Sequence, residues 1–254
     1  MKKNVLVSVI INCYNGDSFL KLAIDSVLNQ TYRNIELVIW DNLSNDKTDS
    51  IINSYNDKRI KYYLSSKHEK LYKARNLAID KCRGDVITFL DCDDLWFADK
   101  IEKQIKKFKT GHKFIYGKYV QINSKGDLIS RPKFKFFSGR VTSKLLINNF
   151  ISIGTVMVDS SLIKYNLFDP KYNLLGDFEL WVRLSLQTRF CYIDTELEYS
   201  RIHENNTSKI FYKDWIKEKR YFYKNFITVK NLLKYPSIIS YILVSELKNL
   251  ISKI

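Results

Sequence analysis

Glycine and proline are scarce in this chain of 254 residues, with 8 and 3 copies, and histidine occurs only 3 times. That scarcity excludes collagen-like, low-complexity and linker-rich classes, which need glycine or proline in quantity. No internal repeat is visible. The four cysteines, Cys13, Cys82, Cys92 and Cys191, are widely spaced. None stands in C-x-x-C spacing and no histidine accompanies them in a zinc-like pattern. Free thiols in a reducing compartment are therefore expected, not a disulfide frame or a zinc site. No apolar run approaches the ~20 residues of a membrane span. The opening Met1-Lys2-Lys3-Asn4-Val5 leads straight into a strand-like run, without a secretory signal's long apolar region and cleavage site. The expectation is a cytoplasmic protein that meets a membrane from one side at most.

What is present is a core and an excess of positive charge. Hydrophobic residues make up 45% of the chain, enough for one large α/β domain or a domain with an extension. The net charge of +15 calls for an acidic partner: nucleic acid, anionic lipid or a phosphorylated substrate. Residues 208–254 hold ten Lys/Arg against three acids, a net +7, which is nearly half the excess.

Strand-like and helix-like runs alternate through the first half. Val5–Ile11, Ile35–Trp40, Ile60–Leu64 and Val86–Leu90 read as strands. Helices are expected from Asp17 or Ser18 to about Gln30, from Asp46 to about Tyr55, and over Tyr72–Lys81. Such alternation is the signature of a doubly wound parallel sheet. After residue 110 the pattern becomes irregular. Strands are expected at Lys113–Ile122, Thr155–Val158, Arg189–Ile193 and Leu197–Ile202, with a hairpin turn at 123–127 and helices at Ser143–Phe150 and Phe178–Leu186. This divides the chain into a catalytic domain, 1–207, and a basic, aromatic, amphipathic helical tail, 208–254.

The most informative segment is Asp91-Cys92-Asp93-Asp94, directly after the apolar run Val86–Leu90. Three carboxylates in four residues repel one another and need a counter-charge. They sit at a strand's C-terminal end, the edge where α/β sheets bind ligands. A divalent cation shared with substrate phosphates would neutralise them, although a solvated acidic loop is the plainer alternative. Asp41 ends another strand, and Asp177 and Glu179 form a third acidic point.

In order and spacing, these segments resemble the family 2 glycosyltransferases. Ser8-Val9-Ile10-Ile11-Asn12-Cys13-Tyr14-Asn15 is similar to that family's opening strand, and Ile24–Tyr32 to its first helix end. Glu36–Thr48 resembles its V-D-D-G-S-T-D segment. Ala74-Arg75-Asn76, Phe89–Trp96 and Gly176–Leu184 follow in the family's order, and the resemblance covers residues 5–205. It implies a GT-A fold, an inverting transfer and a nucleotide-sugar donor such as a UDP-sugar. It places Asn12, Tyr14, Asp41 and Arg75 around the nucleotide and Asp91 near the ribose. It puts Asp93 on a Mn²⁺ or Mg²⁺ ion bridging the diphosphate, with His203 near that metal. Asp177 corresponds to the catalytic base. Two positions depart from the pattern: Asn42 stands beside Asp41 where an Asp is frequent, and Gly176 stands where Glu is frequent. The second leaves Glu179 as the alternative base.

Each of these residues also has a plainer reading: turn former for Asp41 and Asn12, core aromatic for Tyr14, solvated charge for Arg75, helix cap for Asp94 and Asp177, structural imidazole for His203. The expected acceptor is a hydroxyl of a glycan or lipid-linked sugar in surface polysaccharide or glycolipid assembly. The aromatic and basic tail offers either a further packing surface or peripheral contact with an anionic membrane. A sugar-phosphate nucleotidyltransferase is the alternative enzyme, but its Gly-rich loop is missing, since Asn12-Cys13-Tyr14-Asn15-Gly16 has a single glycine. A basic nucleic-acid-binding protein is the alternative outside enzymes. No specific nucleic acid is expected, because no recognition motif appears and the cations crowd into the tail.

Overall fold

The computed structural model describes residues 4–133, 135–204, 206 and 212–226. In the first half the elements run β1 (Val7–Cys13), α1 (Leu20–Leu28), β2 (Ile35–Asp41), α2 (Thr48–Asn53), β3 (Ile60–Leu64), α3 (Leu71–Lys81) and β4 (Val86–Asp91). In the second half come β5 (Leu95–Trp96), α4 (Lys100–Phe108), β6 (Phe114–Ile122), β7 (Leu128–Ser130), α5 (Thr142–Leu145) and a 3₁₀ turn (Ile153–Thr155). Then follow β8 (Met157–Asp159), α6 (Ser160–Tyr165), α7 (Gly176–Ser185), β9 (Phe190–Arg201) and α8 (Tyr212–Phe226).

Among the described residues the strands form one sheet of nine, in the order β3-β2-β1-β4-β8-β6-β9-β5, with β7 paired to β6. The first four are parallel, as alternation predicts. The second half is mixed. β8 lies antiparallel between β4 and β6, β6 and β9 run parallel, and β5 returns antiparallel on β9.

Alternation of side chains across β1 and β2 loads both faces. Val7, Val9, Ile11, Leu37 and Ile39 meet α1 and α4 on one side. Ile10, Val38 and Trp40 meet α3 and the later helices on the other. A strand buried on both faces reads as a continuous apolar run, which is why β1, β2 and β4 are legible in the sequence.

Several expectations are revised. The two strands expected at Arg189–Ile193 and Leu197–Ile202 are one continuous strand, β9. The helix expected at Ser143–Phe150 shrinks to four residues. Helix α4 has no counterpart among the expected elements, although Ile101, Ile105 and Phe108 stand at helical spacing; its Lys100 and Gln104 are fully buried beside them. Neither Asp17 nor Ser18 caps α1; its first turn closes on the Gly16 carbonyl. Asp46 does meet the start of α2, accepting the Thr48 N–H at 3.0 Å.

Helix α8 belongs to the stretch expected to be tail, yet it contributes to the core. Phe222 and Tyr223 are buried, and the Tyr223 hydroxyl donates to the Leu146 carbonyl at 2.5 Å. The Phe222 ring meets Phe178 of α7 edge-on at 4.9 Å. These two aromatics therefore do not belong to a free interfacial surface. The apolar stripe expected over Ser237–Ile254 lies outside the described residues.

Removing the Phe222 ring should leave a cavity at this seam. Phe222→Ala is expected to cost about 3–5 kcal/mol of unfolding free energy, measured by denaturant titration. A loss below ~0.5 kcal/mol, the range of surface changes, would show that α8 is not part of the folded core.

Candidate active site

The parallel register brings three strand ends to one edge. Asn12 lies opposite Trp40 on β2 and Asp91 on β4, and Cys13 lies opposite Asp41. The loops leaving β1 and β2 are stitched together above that edge. The Asn15 N–H donates to Ser44 Oγ at 2.9 Å, the Asn45 N–H to Asn15 Oδ1 at 2.9 Å, and the Asp17 N–H to Asp46 Oδ2 at 3.0 Å. Two non-glycine residues here hold left-handed backbone, Asn15 at φ +52° and Leu43 at φ +68°. A leucine in that region is strained, and such strain persists where surrounding bonds over-determine the chain.

Asp41 is buried. Its Oδ1 accepts the Ser44 N–H at 2.8 Å and its Oδ2 the Tyr62 hydroxyl at 3.0 Å. The carboxylate thus shapes its own turn as well as standing at the strand end, and burial together with the Asp41 charge pushes the Tyr62 hydroxyl pKa up. Asn42, which departs from the family pattern, clasps the backbone of Glu69, with Nδ2 donating at 2.7 Å and Oδ1 accepting at 3.0 Å. A second carboxylate there could accept the N–H but would face the carbonyl lone pairs, so the amide suits this loop. His68 is brought in by the same loop. Its Nδ1 lies 3.1 Å from the Asn42 carbonyl, and its ring meets the exposed Tyr14 edge-on at 4.2 Å. Both polar atoms of the Asn12 amide are buried without a hydrogen-bond partner among the described residues, a state that native proteins rarely leave uncompensated.

Helix α3 ties this edge to the second half of the chain. Arg75 is buried, and its Nη2 meets Asp91 Oδ1 at 2.5 Å. Its guanidinium also lies over the rings of Tyr72 and Phe168, at 5.3 and 6.0 Å. Arg75 is therefore an ion-paired strut and not a solvated charge. One turn earlier, the Tyr72 hydroxyl donates to Asp177 Oδ1 at 3.2 Å. Asp177 Oδ1 also accepts the N–H of Phe178 at 2.7 Å. Burial raises the Asp177 carboxyl pKa, opposed first by the positive charge of Arg75. Glu179 points elsewhere: it forms a two-pronged pair with Arg183, both bonds at 2.9 Å. The geometry places Asp177, and not Glu179, beside Arg75 and Asp91.

The Gly176 departure has a steric reason. A Cβ at that position would lie 2.5 Å from Tyr72 Cδ2 and 2.6 Å from Cε2. The Tyr72 ring fills the space that any larger residue at 176 would need.

Asp93 and His203 meet at the far end of the site, with Oδ2 and Nε2 2.8 Å apart. Burial and the Asp91 charge raise the Asp93 pKa. Asp94 is turned inward, accepting the N–H of Arg201 in β9 at 2.6 Å, so it ties the turn to that strand and does not cap a helix. The buried Arg201 donates from Nε to the Asp93 carbonyl at 2.8 Å and from Nη1 to the carbonyls of Asn123 and Ser124 at 3.1 Å. Cys92 shares this turn, and its thiol pKa is pushed up by Cys13, by burial and by the flanking aspartates, which favours the protonated form. Among the described residues, no group of three or more His, Cys, Asp or Glu converges as a metal cage.

Sequence reading did not single out Tyr72, His68 or Arg201. Tyr72 carries the weak signal of standing one helical turn before Arg75. Arg201 ends β9, two residues before His203, and that closeness in sequence is its only signal. His68 sits in a loop and gives no signal.

Comparison with known proteins agrees with this geometry. The description "Glycosyl transferase family 2" matches residues 8–169. The chain is 39% identical over 209 residues to an uncharacterized glycosyltransferase of Rickettsia felis, covering 80% of this chain and 34% of that protein. It thus spans about a third of the length of that relative and of a similar one from Rickettsia bellii, where the share is 31%. It is 35% identical over 183 residues to the Escherichia coli UDP-Glc:alpha-D-GlcNAc-diphosphoundecaprenol beta-1,3-glucosyltransferase WfgD, covering 70% of this chain and 69% of that one. The crystal structure of S. aureus TarS 1–349 in complex with UDP-GlcNAc superposes with a TM-score of 0.68 at 21% identity, over 80% of this chain and 60% of that one. That likeness shows the fold, GT-A. With strand order, acidic turn and sequence relatives in agreement, the chain belongs to glycosyltransferase family 2.

Proposed function

We propose that the protein is an inverting glycosyltransferase that moves a hexose from a UDP-sugar to a hydroxyl of a lipid-linked or glycan acceptor in surface polysaccharide or glycolipid assembly. The observation that carries this reading is helix α3, which holds the acidic turn through Arg75–Asp91 and the base through Tyr72–Asp177 within a single turn of helix. The donor-binding edge and a proton acceptor are thereby fixed relative to each other, as a direct displacement needs. Family membership favours glycosyl transfer over the nucleotidyltransferase and nucleic-acid alternatives.

In this mechanism Asp177 takes the proton of the acceptor hydroxyl as its oxygen attacks the anomeric carbon. The bond to the nucleoside diphosphate breaks on the opposite face, and the configuration inverts. Burial makes Asp177 a stronger base than a solvated carboxylate, and the Tyr72 hydroxyl holds one oxygen so that the other remains available. Asn12, Tyr14 and Asp41 form the nucleotide end, and Asp91, held by Arg75, the ribose end. Asp93 and His203 offer two donors, which fits a Mn²⁺ or Mg²⁺ ion sharing its coordination with substrate phosphates, though not a closed protein cage. Such an ion, when bound, stabilises the charge of the leaving diphosphate.

The lipid-linked acceptor is proposed from WfgD and a second E. coli relative, WfaP, whose names specify a diphosphoundecaprenol substrate. WfaP is 32% identical over 221 residues, covering 84% of both chains. Peripheral contact with an anionic membrane would suit such an acceptor, and Lys213, Lys217, Arg220 and Lys224 of α8 are exposed. Among the described residues, no helix is long and apolar enough to cross a membrane.

A panel of nucleotide sugars in thermal unfolding, with and without Mn²⁺, tests the donor assignment by mass action. UDP with Mn²⁺ should raise the midpoint, and Asp93→Ala should remove the metal-dependent part. Equal shifts in both proteins, with or without metal, would count against the assignment. Asp177→Asn should bind UDP normally and lose transfer by roughly 10²–10⁴-fold, while Glu179→Gln should retain it. Activity in the first and loss in the second would name Glu179 as the base. Tyr72→Phe removes a donor that favours the charged form of Asp177, so the Asp177 pKa should rise and the acidic limb of the kcat/KM profile should move to higher pH. An unmoved limb would mean that the Tyr72 hydroxyl does not tune the base.

A further inference from the structure

Helix α8, read from sequence as a tail, grips the chain on both sides of Asp177. Before Asp177, the Glu218 carboxylate accepts three consecutive backbone N–H groups: Asn173 at 2.7 Å, Leu174 at 2.9 Å and Leu175 at 3.0 Å. These residues lead into α7, whose first turn closes with the Glu179 N–H donating to the Leu175 carbonyl at 2.9 Å. After Asp177, Phe222 meets the ring of Phe178 at 4.9 Å. Tyr221 adds an edge contact to the buried Tyr172 at 5.9 Å. Glu218, Tyr221 and Phe222 are spaced i, i+3, i+4 and so share one face of α8.

The chemistry of the contact is specific. Three successive amides cannot bond to strand or helix neighbours while they turn, so each needs an acceptor. A carboxylate supplies several lone pairs and forms charge-assisted bonds, stronger than bonds to a neutral oxygen. Glu218 thus fixes the backbone that launches the residue placed as the base, although it reaches neither Asp177 nor the strand ends in any hydrogen bond described. Its neighbours in sequence, Lys217 and Lys219, conceal this: by spacing alone Glu218 is one acid in a solvated, mostly basic helix.

We propose that α8 is a positioning element of the active site, and that Glu218 holds the turn at 173–175 so that Asp177 meets the acceptor hydroxyl. The proposal rests on Asp177 being the base. The opposite side of α8 carries exposed cations, Lys213, Lys217, Arg220 and Lys224.

The test uses the full chain with Glu218→Ala and the near-isosteric Glu218→Gln. Amide exchange at 173–178 is followed together with turnover, read as UDP released from UDP-glucose with N-acetylglucosaminyl-diphosphoundecaprenol as acceptor. In Glu218→Ala, exchange at these amides should accelerate at least about tenfold, as expected when bonds to a charged group are lost. The kcat should fall about 10- to 10²-fold from misplacement of the base, with the KM for UDP-glucose and the thermal shift by UDP unchanged. Glu218→Gln, which keeps one acceptor oxygen, should fall between the two, and it carries the test if Glu218→Ala does not fold. Unchanged exchange would overturn the proposal, and so would accelerated exchange with unchanged kcat. Asp177→Asn, measured alongside, separates the two readings. Full turnover there removes the base assignment whatever Glu218 does. A dead Asp177→Asn beside an unaffected Glu218→Ala sinks only the positioning role.

Discussion

The pairing of buried Arg75 with the partly exposed Asp91 is the constraint on which the rest of the site depends. A guanidinium out of water is tolerable only with a partner at close range and its remaining faces covered. Asp91 provides the charge at 2.5 Å, and the rings of Tyr72 and Phe168 provide the cover. Those requirements fix α3 against the end of β4. Once α3 is fixed, Tyr72 can stand only where its ring excludes a side chain at 176 and its hydroxyl reaches Asp177. The ion pair at the sheet edge and the Asp177 carboxylate in the second half of the chain, 86 residues apart by number from Asp91 to Asp177, are then parts of one packed unit.

The acidic turn shows how one short segment divides its labour. Asp91 is held by Arg75, Asp93 faces His203, and Asp94 turns inward to the Arg201 N–H. Mutual repulsion disfavours three charged carboxylates in four residues unless each has its own surroundings. Here they receive a guanidinium, an imidazole and a backbone amide. Arg201 completes the arrangement by clamping the turn's backbone to the hairpin between β6 and β7, so the loop that carries Asp93 is anchored to strands of the second half.

The fold's first half was legible because parallel strands buried on both faces must be continuously apolar, and the helices between them must alternate with them. The positions of Asp41 and Asp91–Asp94 at strand ends followed from the same pattern. Less could be read where packing overrides local preference. Helix α4 buries Lys100 and Gln104, with the Lys100 ammonium bonded to Thr88 and Gln104 and placed over Trp96 at 3.9 Å, a burial that residue type alone does not indicate. Strand β9 was divided in two because its exposure is irregular along its length.

Sequence by itself determined the family, the parallel half of the sheet and the acidic turn, because these are matters of residue type and spacing. Tertiary structure separates the surroundings of the two candidate carboxylates. Asp177 lies half-buried beside Tyr72 and Arg75, while Glu179, two residues on, turns about 200° around a helix of 3.6 residues per turn and pairs with Arg183. Only the packed structure could draw α8 into the core, since the contacts that hold it join residues more than forty positions apart. Local periodicity records which face of a helix is apolar. It does not record what that face meets, and a carboxylate among lysines looks solvated until the chain has folded and three backbone amides have closed on it.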